Sequence, residues 1–376
     1  MKILLLSRAP LSYMAGIPVY CRSLYSNADS SVFITSVSSS LASKQRHINV
    51  FPHTPTLTEY VFPSLFVRKT FSFSLFLFFF LLFNIGKYDL IHVQHPDPLL
   101  ELFILLYRFF NADIKYIVSW HASILHKLLP PVSSIYQHFN YLFLKHALFI
   151  TTFTDSHSRV ISSLYPSITT PIHNAPMPLP YESDYNKPRV LRKNHSPKLI
   201  FVGRLVKYKG LSVLFDSLED INFPVELNVV GDGPLLPQLK RMVQLSHKLR
   251  SFHCIKFLGL LSESQKRDTF LASDALVLPS ITSSEALGIV QVEAMSFGLP
   301  ILNTDLQNGV NETAPDQICA LTSPPNCTSS LSSNITRMFT DPELYTKLST
   351  NCLSLSQRHN PSFCWASFYQ LISTYA

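Results

Sequence analysis

The chain has 376 residues, 47% of them apolar and 15% charged, which is long for one ordinary core and too apolar for disorder, so two folded domains are expected. Its formal net charge of +7 divides evenly: 13 basic against 9 acidic residues in 1–185 leave +4, and 18 against 15 beyond leave +3. With no basic tail or block, a nucleic-acid binder is disfavoured, while an anionic ligand or an anionic membrane surface stays open.

The six cysteines form no C-x-x-C pair and no disulfide-like spacing, and residues 1–8 hold too short an apolar run for a signal peptide. A reduced, cytoplasmic setting is the simplest expectation. Residues 1–8 read instead as a buried first strand. A turn-rich loop follows, with Gly16 in it, feeding a helix from about Val19. Strand, glycine-containing loop and helix is the order that lets a backbone approach a phosphate or sugar closely.

Phe71–Ile85 has the least ordinary composition. Between Lys69 and Lys87 lie 17 residues without a charge, just under the roughly 18 expected of a membrane-spanning helix. Ser72, Ser74 and Asn84 dilute the run further, and a spanning helix would part the first strand from the later ones. The segment therefore reads as a core helix of a Rossmann-like domain, with an interface-lying role at a membrane as the sharper alternative.

Tyr88–His95 and Lys115–His121 read as strands separated by the helix Leu99–Phe110, the alternation of parallel βαβ units. His92 and His95 would fall on opposite faces of one strand without a supporting Cys or acidic cluster, so no zinc site is expected. His121 ends its strand, at the carboxyl edge where open α/β sheets place their ligands. Phe149–Thr152 reads as a further strand and Thr154 as a helix cap. Past Met177 the composition turns to Pro, Asn, Asp, Lys and Tyr, and a linker is placed at 181–196.

The second half opens with Lys198–Val202 as a strand, followed by a loop carrying Arg204 and Lys209 between Gly203 and Gly210. Strands at Leu227–Val230 and Ile255–Gly259 and a third within 272–280 lead to Ser284–Pro300. There a short helix is predicted from Gly288, stopped by Gly298. Glu285 and Glu293 would stand roughly 12 Å apart along a helix axis, too far for one small metal and too far for a glycosidase carboxyl pair. Two ends of one elongated ligand suit that spacing, with free N–H groups near Gly288 for an anion between them. The tail from Pro342 carries two helical patterns, the last rich in aromatic residues.

This ordered set resembles the family 4, or group 1, retaining glycosyltransferases: the E-x7-E segment, Gly-Arg-Leu-x-x-x-Lys-Gly at 203–210, Gly-x-Gly-Pro at 231–234 and, more loosely, Trp120-His121. The resemblance implies the GT-B fold, an α/β architecture of two Rossmann-like domains facing each other across a cleft. It would place an acceptor-binding domain at 1–180, a nucleotide-sugar domain at 197–358 and a helix at 359–376 returning to the first domain. Implied roles put Glu285 at the donor sugar, Glu293 at the nucleotide ribose and His121 near the reacting centre. Gly16, Arg204, Lys209, Gly288 and Ile289 would complete the donor site.

The chain departs from the family pattern at Ala15, Ala175 and Asn308, where glycines are usual, and sugar choice is the inference this weakens most. No Asp-x-Asp occurs anywhere, so the resemblance implies that Arg204, Lys209 and the helix start at Gly288 meet the diphosphate, with no metal or cofactor required. The implied reaction is transfer with retention to a glycan or lipid-linked acceptor, in bacterial surface polysaccharide or lipopolysaccharide synthesis. It would take place in the cytoplasm or on the inner face of the plasma membrane. A nucleotide-sugar 2-epimerase of the same fold and a catalytically silent nucleotide-binding scaffold are the alternatives.

Overall fold

The computed structural model describes every residue except 14–15, 42–45, 69–70, 125–128, 182–184, 192–195 and 376. Ala15 and much of the expected linker thus lie outside the described residues. The chain forms two compact units, Met1–Glu182 with Asn360–Ala376, and Ser183–His359.

The first unit runs through strands β1 (Lys2–Leu6), β2 (Phe33–Ser39), β3 (Asn49–Pro52), β4 (Leu57–Phe62), β5 (Phe66–Arg68), β6 (Phe71–Phe73), β7 (Leu90–His95), β8 (Tyr116–Trp120), β9 (Ile150–Thr152) and β10 (Ile172–Asn174). Its helices are α1 (Gly16–Tyr25), α2 (Leu75–Asn84), α3 (Pro98–Phe110), α4 (Pro130–Lys145) and α5 (Asp155–Leu164). Eight strands form one sheet in the order β10-β9-β8-β7-β1-β2-β4-β3, and β5 and β6 make a separate two-stranded hairpin. All pairs in the large sheet are parallel except β3 with β4. Ile3, Leu4, Leu5 and Leu6 are all fully buried, as expected of a central parallel strand covered on both faces. The chain moves outward from β1 through β2 to β4 and returns on the other side at β7, so the strand order reverses between β1 and β7. Ligands of such sheets bind at the carboxyl ends beside that reversal.

Phe71–Ile85 is not a core helix. Phe71–Phe73 is strand β6, Ser74 caps α2 by accepting from the Leu77 amide, and only Leu77 and Leu81 of α2 are buried. Phe76 is 55% exposed and Phe83 71%. A segment apolar on every side has no 3.6-residue stripe from which to tell its buried face. The α1 helix starts three residues ahead of the expected Val19, at Gly16.

The second unit holds β11 (Lys198–Val202), β12 (Glu226–Val230), β13 (Cys254–Gly259), β14 (Ala275–Leu278), β15 (Ile301–Thr304) and β16 (Ala320–Ser323). Between and after them come α6 (Leu211–Glu219), α7 (Leu236–Leu245), α8 (His247–Ser251), α9 (Glu263–Ala272), α10 (Ile289–Met295), α11 (Gly309–Thr313), α12 (Thr328–Thr340) and α13 (Pro342–Ser356). Its sheet is wholly parallel, ordered β13-β12-β11-β14-β15-β16. Leu199, Phe201, Leu214, Phe215, Leu227 and Val277 fill its core.

Arg189, in the stretch that composition assigns to a linker, is buried in this second unit. Its guanidinium donates to the carbonyls of Phe270, Leu271 and Ser273 at the end of α9 and to that of Phe297 just past α10. A planar cation with five N–H groups satisfies helix-end carbonyls that have no intrahelical partner. The last helix, α14 (Pro361–Tyr375), returns to the first unit, where Trp365 and Phe368 pack on Tyr25 and Phe368 stacks on His92.

Candidate active site

In the second unit the loop after β11 leads through a single turn at Lys207–Lys209 into α6. Two glycines make this geometry possible. Gly210 has φ +69°, and a side chain there would collide with the Pro279 carbonyl; Gly231, at φ +128°, lies as closely against the Gly203 carbonyl. Only glycine takes such a backbone at such a distance. The turn delivers Lys209 Nζ to 2.5 Å from Glu285 Oε2, and Ser280 Oγ donates to the same oxygen at 3.0 Å. Both Lys209 and Glu285 are buried.

Glu285 lies in the loop between β14 and α10 rather than on a helix, so the axial spacing drawn for Glu285 and Glu293 does not apply. Asn308 holds that loop: its amide donates to the Glu285 carbonyl at 2.8 Å, while its Oδ1 accepts from the Val310 amide and starts α11. The departure at Asn308 therefore has a structural task, and nothing in the residue pattern pointed to it. Gly288 caps α10 at φ +66° and Ile289 begins the helix. Gln291, also unforeseen, donates to the Leu287 and Val310 carbonyls and accepts from Asn303.

Glu293 belongs to a different cluster. Lys266 lies 3.1 Å from both its carboxylate oxygens and 3.0 Å from Glu263. Burial pushes the Glu293 carboxyl above its ordinary range, and the Lys266 charge pulls against that rise. Arg204 is exposed on the loop after β11.

His121 and Gly16 stand in the first unit. His121 follows β8 at the carboxyl edge of the sheet, its amide bonded to the His95 carbonyl. Its Nε2 lies 2.7 Å from Gln94 Oε1, and the rings of Tyr20 and Phe153 flank it at 5.3 and 5.1 Å. Burial first, then the neighbouring imidazoles His92, His95 and His157, push the His121 ring down to about 3. It is thus neutral near pH 7, with the Gln94 carbonyl selecting the tautomer that carries its proton on Nε2. Gln94 in turn reaches His92, which bonds Tyr25 and Ser119. Gly16 opens α1 and is exposed.

The expected residues therefore fall into six places: Lys209 with Glu285, Glu293 with Lys266, the α10 start at Gly288 and Ile289, the His121 chain, Arg204 alone on the loop after β11, and Gly16 at the start of α1. Among the described residues no three His, Cys, Asp or Glu side chains group as metal ligands.

Residues 183–353, nearly the whole second unit, match the family described as glycosyl transferases group 1. This chain is a relative of the group 1 glycosyltransferases. It is 25% identical over 270 residues to the O-antigen chain mannosyltransferase C of Escherichia coli, covering 70% of this chain and 69% of that one. It is 34% identical over 133 residues to the D-rhamnosyltransferase WbpZ of Pseudomonas aeruginosa, 34% of this chain but only 33% of that protein. Among solved structures it superposes on Anabaena Alr3699/HepE in complex with UDP over all of both chains, with a TM-score of 0.76 at 16% identity. The sucrose-phosphate synthase of Thermosynechococcus elongatus gives 0.75 at 17%, over 99% and 98% of the two chains. These neighbours establish the GT-B architecture of two Rossmann-like units with the closing helix α14 packed on the first.

Proposed function

We propose that this chain is a retaining glycosyltransferase, moving a sugar from a nucleoside-diphosphate sugar to a glycan or lipid-linked acceptor in the synthesis of a bacterial surface polysaccharide. The observation that carries the reading is the buried Lys209–Glu285 pair, held at the carboxyl edge of the second unit's sheet by Gly210, Ser280 and Asn308. Such a pair supplies preorganised charge to a reacting centre at no reorganisation cost when the reaction occurs. Glu285 meets a donor hydroxyl or the positive charge developing at the sugar. Lys209 keeps two further N–H donors for phosphate oxygens. Arg204, being exposed, is free to turn onto the diphosphate, and the backbone at Gly288 and Ile289 adds N–H groups. Glu293, its charge supported by Lys266, accepts from the ribose hydroxyls. These groups meet the diphosphate's charge without requiring a metal. On the acceptor side His121, a neutral imidazole, contacts the reacting centre.

The O-antigen and rhamnosyl names of the relatives support a surface-glycan role, and the apolar outer face of α2 supports work at the inner surface of an anionic membrane. A thermal-shift panel of UDP-, GDP- and ADP-sugars tests the reading, because a ligand of the native state raises the melting temperature. One nucleotide class should stabilise the protein and lose its effect in Glu293→Ala. A folded sample that no nucleotide sugar stabilises would overturn the proposal.

A further inference from the structure

Between α2 and α3 the first unit contains a slot of about 280 Å³. Leu77 and Leu81 form one inner wall and Leu100 and Phe103 the other, with Leu102 and Leu106 at the mouth. The polar groups at its inner end are already engaged: Ser39 Oγ bonds Ser72 Oγ at 2.7 Å, Ser74 Oγ donates to the Pro63 carbonyl, and Asp97 accepts from the Leu100 amide. The slot therefore offers hydrocarbon to an occupant and almost nothing to a polar head.

We propose that this slot takes the hydrocarbon chain of a lipid-linked acceptor, which makes the acceptor a lipid phosphate rather than a free glycan. Three observations fix the occupant. Outside the slot the apolar surface continues over Phe76, Phe79 and Phe83 of α2 and over Phe109 and Phe110 of α3, each of the last two 85% exposed. This is far more aromatic surface than an isolated soluble unit leaves in water, and it suits the acyl boundary of a bilayer. The charge at the outer ends is basic, with Lys87 in the turn after α2 and Arg108 in the last turn of α3, while the acidic groups Asp97 and Glu101 sit at the opposite, inner end of α3; basic outer ends match anionic headgroups. The slot is also directional. Its inner end is built by Ser39, the last residue of β2, and by Asp97, just past β7, both at the carboxyl edge of the sheet. His121 follows β8 at that same edge, β8 being the hydrogen-bonded neighbour of β7. A chain in the slot enters from the apolar surface and aims its head toward the edge that carries His121.

The inference deepens the proposed transfer reaction and rests on it for the word acceptor, but its test reads binding alone. The full chain is mixed with phosphatidylcholine vesicles holding farnesyl phosphate with a diazirine at the far end of its chain, irradiated, and mapped by peptide mass. Labelling should concentrate in 75–81 and 99–106 and be competed by unlabelled farnesyl phosphate. Leu102→Trp, a change at the half-exposed mouth, should cut it at least tenfold without moving the melting temperature. Phe83→Ser, beyond the slot, should leave it in place. Labelling that is not competed, that a diazirine on the phosphatidylcholine acyl chain reproduces, or that survives Leu102→Trp would overturn the inference. So would sedimentation showing the slot covered by a second copy, with Leu102→Trp releasing monomer. If labelling fails while nucleotide sugars still stabilise the protein, the slot alone is wrong; if labelling holds while no nucleotide sugar binds, the donor reading is wrong.

Discussion

Replacing Lys209 by Met removes one charge of a buried pair and leaves Glu285 with Ser280 as its remaining side-chain partner. Both side chains are only 11% exposed, so little solvent screening softens the loss. Breaking a buried pair from one side costs about 3–5 kcal/mol, because the surviving charge stays desolvated. The second unit spans 177 residues (359 − 183 + 1), and for a unit of that size each kcal/mol moves the midpoint by about 2–4 °C. Lys209→Met should therefore lower the melting temperature of the second unit by roughly 6–20 °C, as should Glu285→Gln by a smaller amount, since the amide still meets Ser280. The double variant has no stranded charge and should recover most of the loss while remaining inactive. Differential scanning calorimetry of the full chain measures all three. If the single effects add in the double variant to within about 0.5 kcal/mol, the two groups are not coupled and the preorganised pair is a misreading.

Arg189→Ala should cost about 3 kcal/mol or more, since four buried carbonyl groups lose a charged donor, and it should do so without changing donor affinity per folded molecule; urea titration with a nucleotide-binding control reads both. Gly210→Ala forces a side chain into the Pro279 carbonyl at positive φ and should leave the second unit insoluble or several degrees less stable, with Gly259→Ala, whose added carbon meets nothing, as the milder comparison. Arg204→Ala should leave the melting temperature unchanged, because the residue is exposed, while raising the donor KM about 10- to 100-fold, the equivalent of a charge-assisted hydrogen bond of about 1.5–3 kcal/mol; an unchanged KM would remove Arg204 from the donor site. Burial holds the His92 ring at about 3, below its ordinary value near 6.5. Between those values the unfolded chain takes up a proton that the folded one refuses, so stability falls as pH drops, by about 1.4 kcal/mol per pH unit from this group. Urea midpoints at pH 6 and 5 should show that slope in the native chain and a shallower one in His92→Gln.

Much of the second unit was legible because its chemistry and its backbone geometry coincide in short stretches. Glycines at 210, 231 and 288 mark turns at positive φ with no room for a side chain, and charged residues nearby are delivered by those turns. Asn308 and Gln291 were not legible, since each works through a carbonyl 19 to 23 positions away in the chain, and no local period encodes such a contact. The helix start at Gly288 was legible, but the spacing of Glu285 from Glu293 was drawn along a helix axis, whereas tertiary bonding from Lys209, Ser280 and Asn308 holds Glu285 in a loop. In the first unit, β2 to β5 went unread: the apolar pattern of β2 is broken by the buried Ser36, Ser38 and Ser39 and that of β4 by the buried Glu59, while β3 and β5 are short antiparallel strands. Composition assigned Arg189 to a linker for a related reason, its guanidinium bonding carbonyls far along the chain, at 270–273 and 297.

The site's electrostatics also bear on how a donor would be received. Glu285 and Glu293 are both buried, and each already has a lysine within ion-pair distance. A carboxylate that had to leave water when the donor arrived would spend several kcal/mol of binding free energy on desolvation. Here that cost is met during folding, by Lys209 and Lys266, and the ligand meets charges already fixed in place. On the proposed reading this explains why two lysines from separate elements, the turn before α6 and the helix α9, converge on the two ends of one segment. Loss of Lys266 should then weaken nucleotide binding through Glu293, while loss of Lys209 should act on the sugar end through Glu285. On the proposed reading the two ends of the donor have separable electrostatic supports.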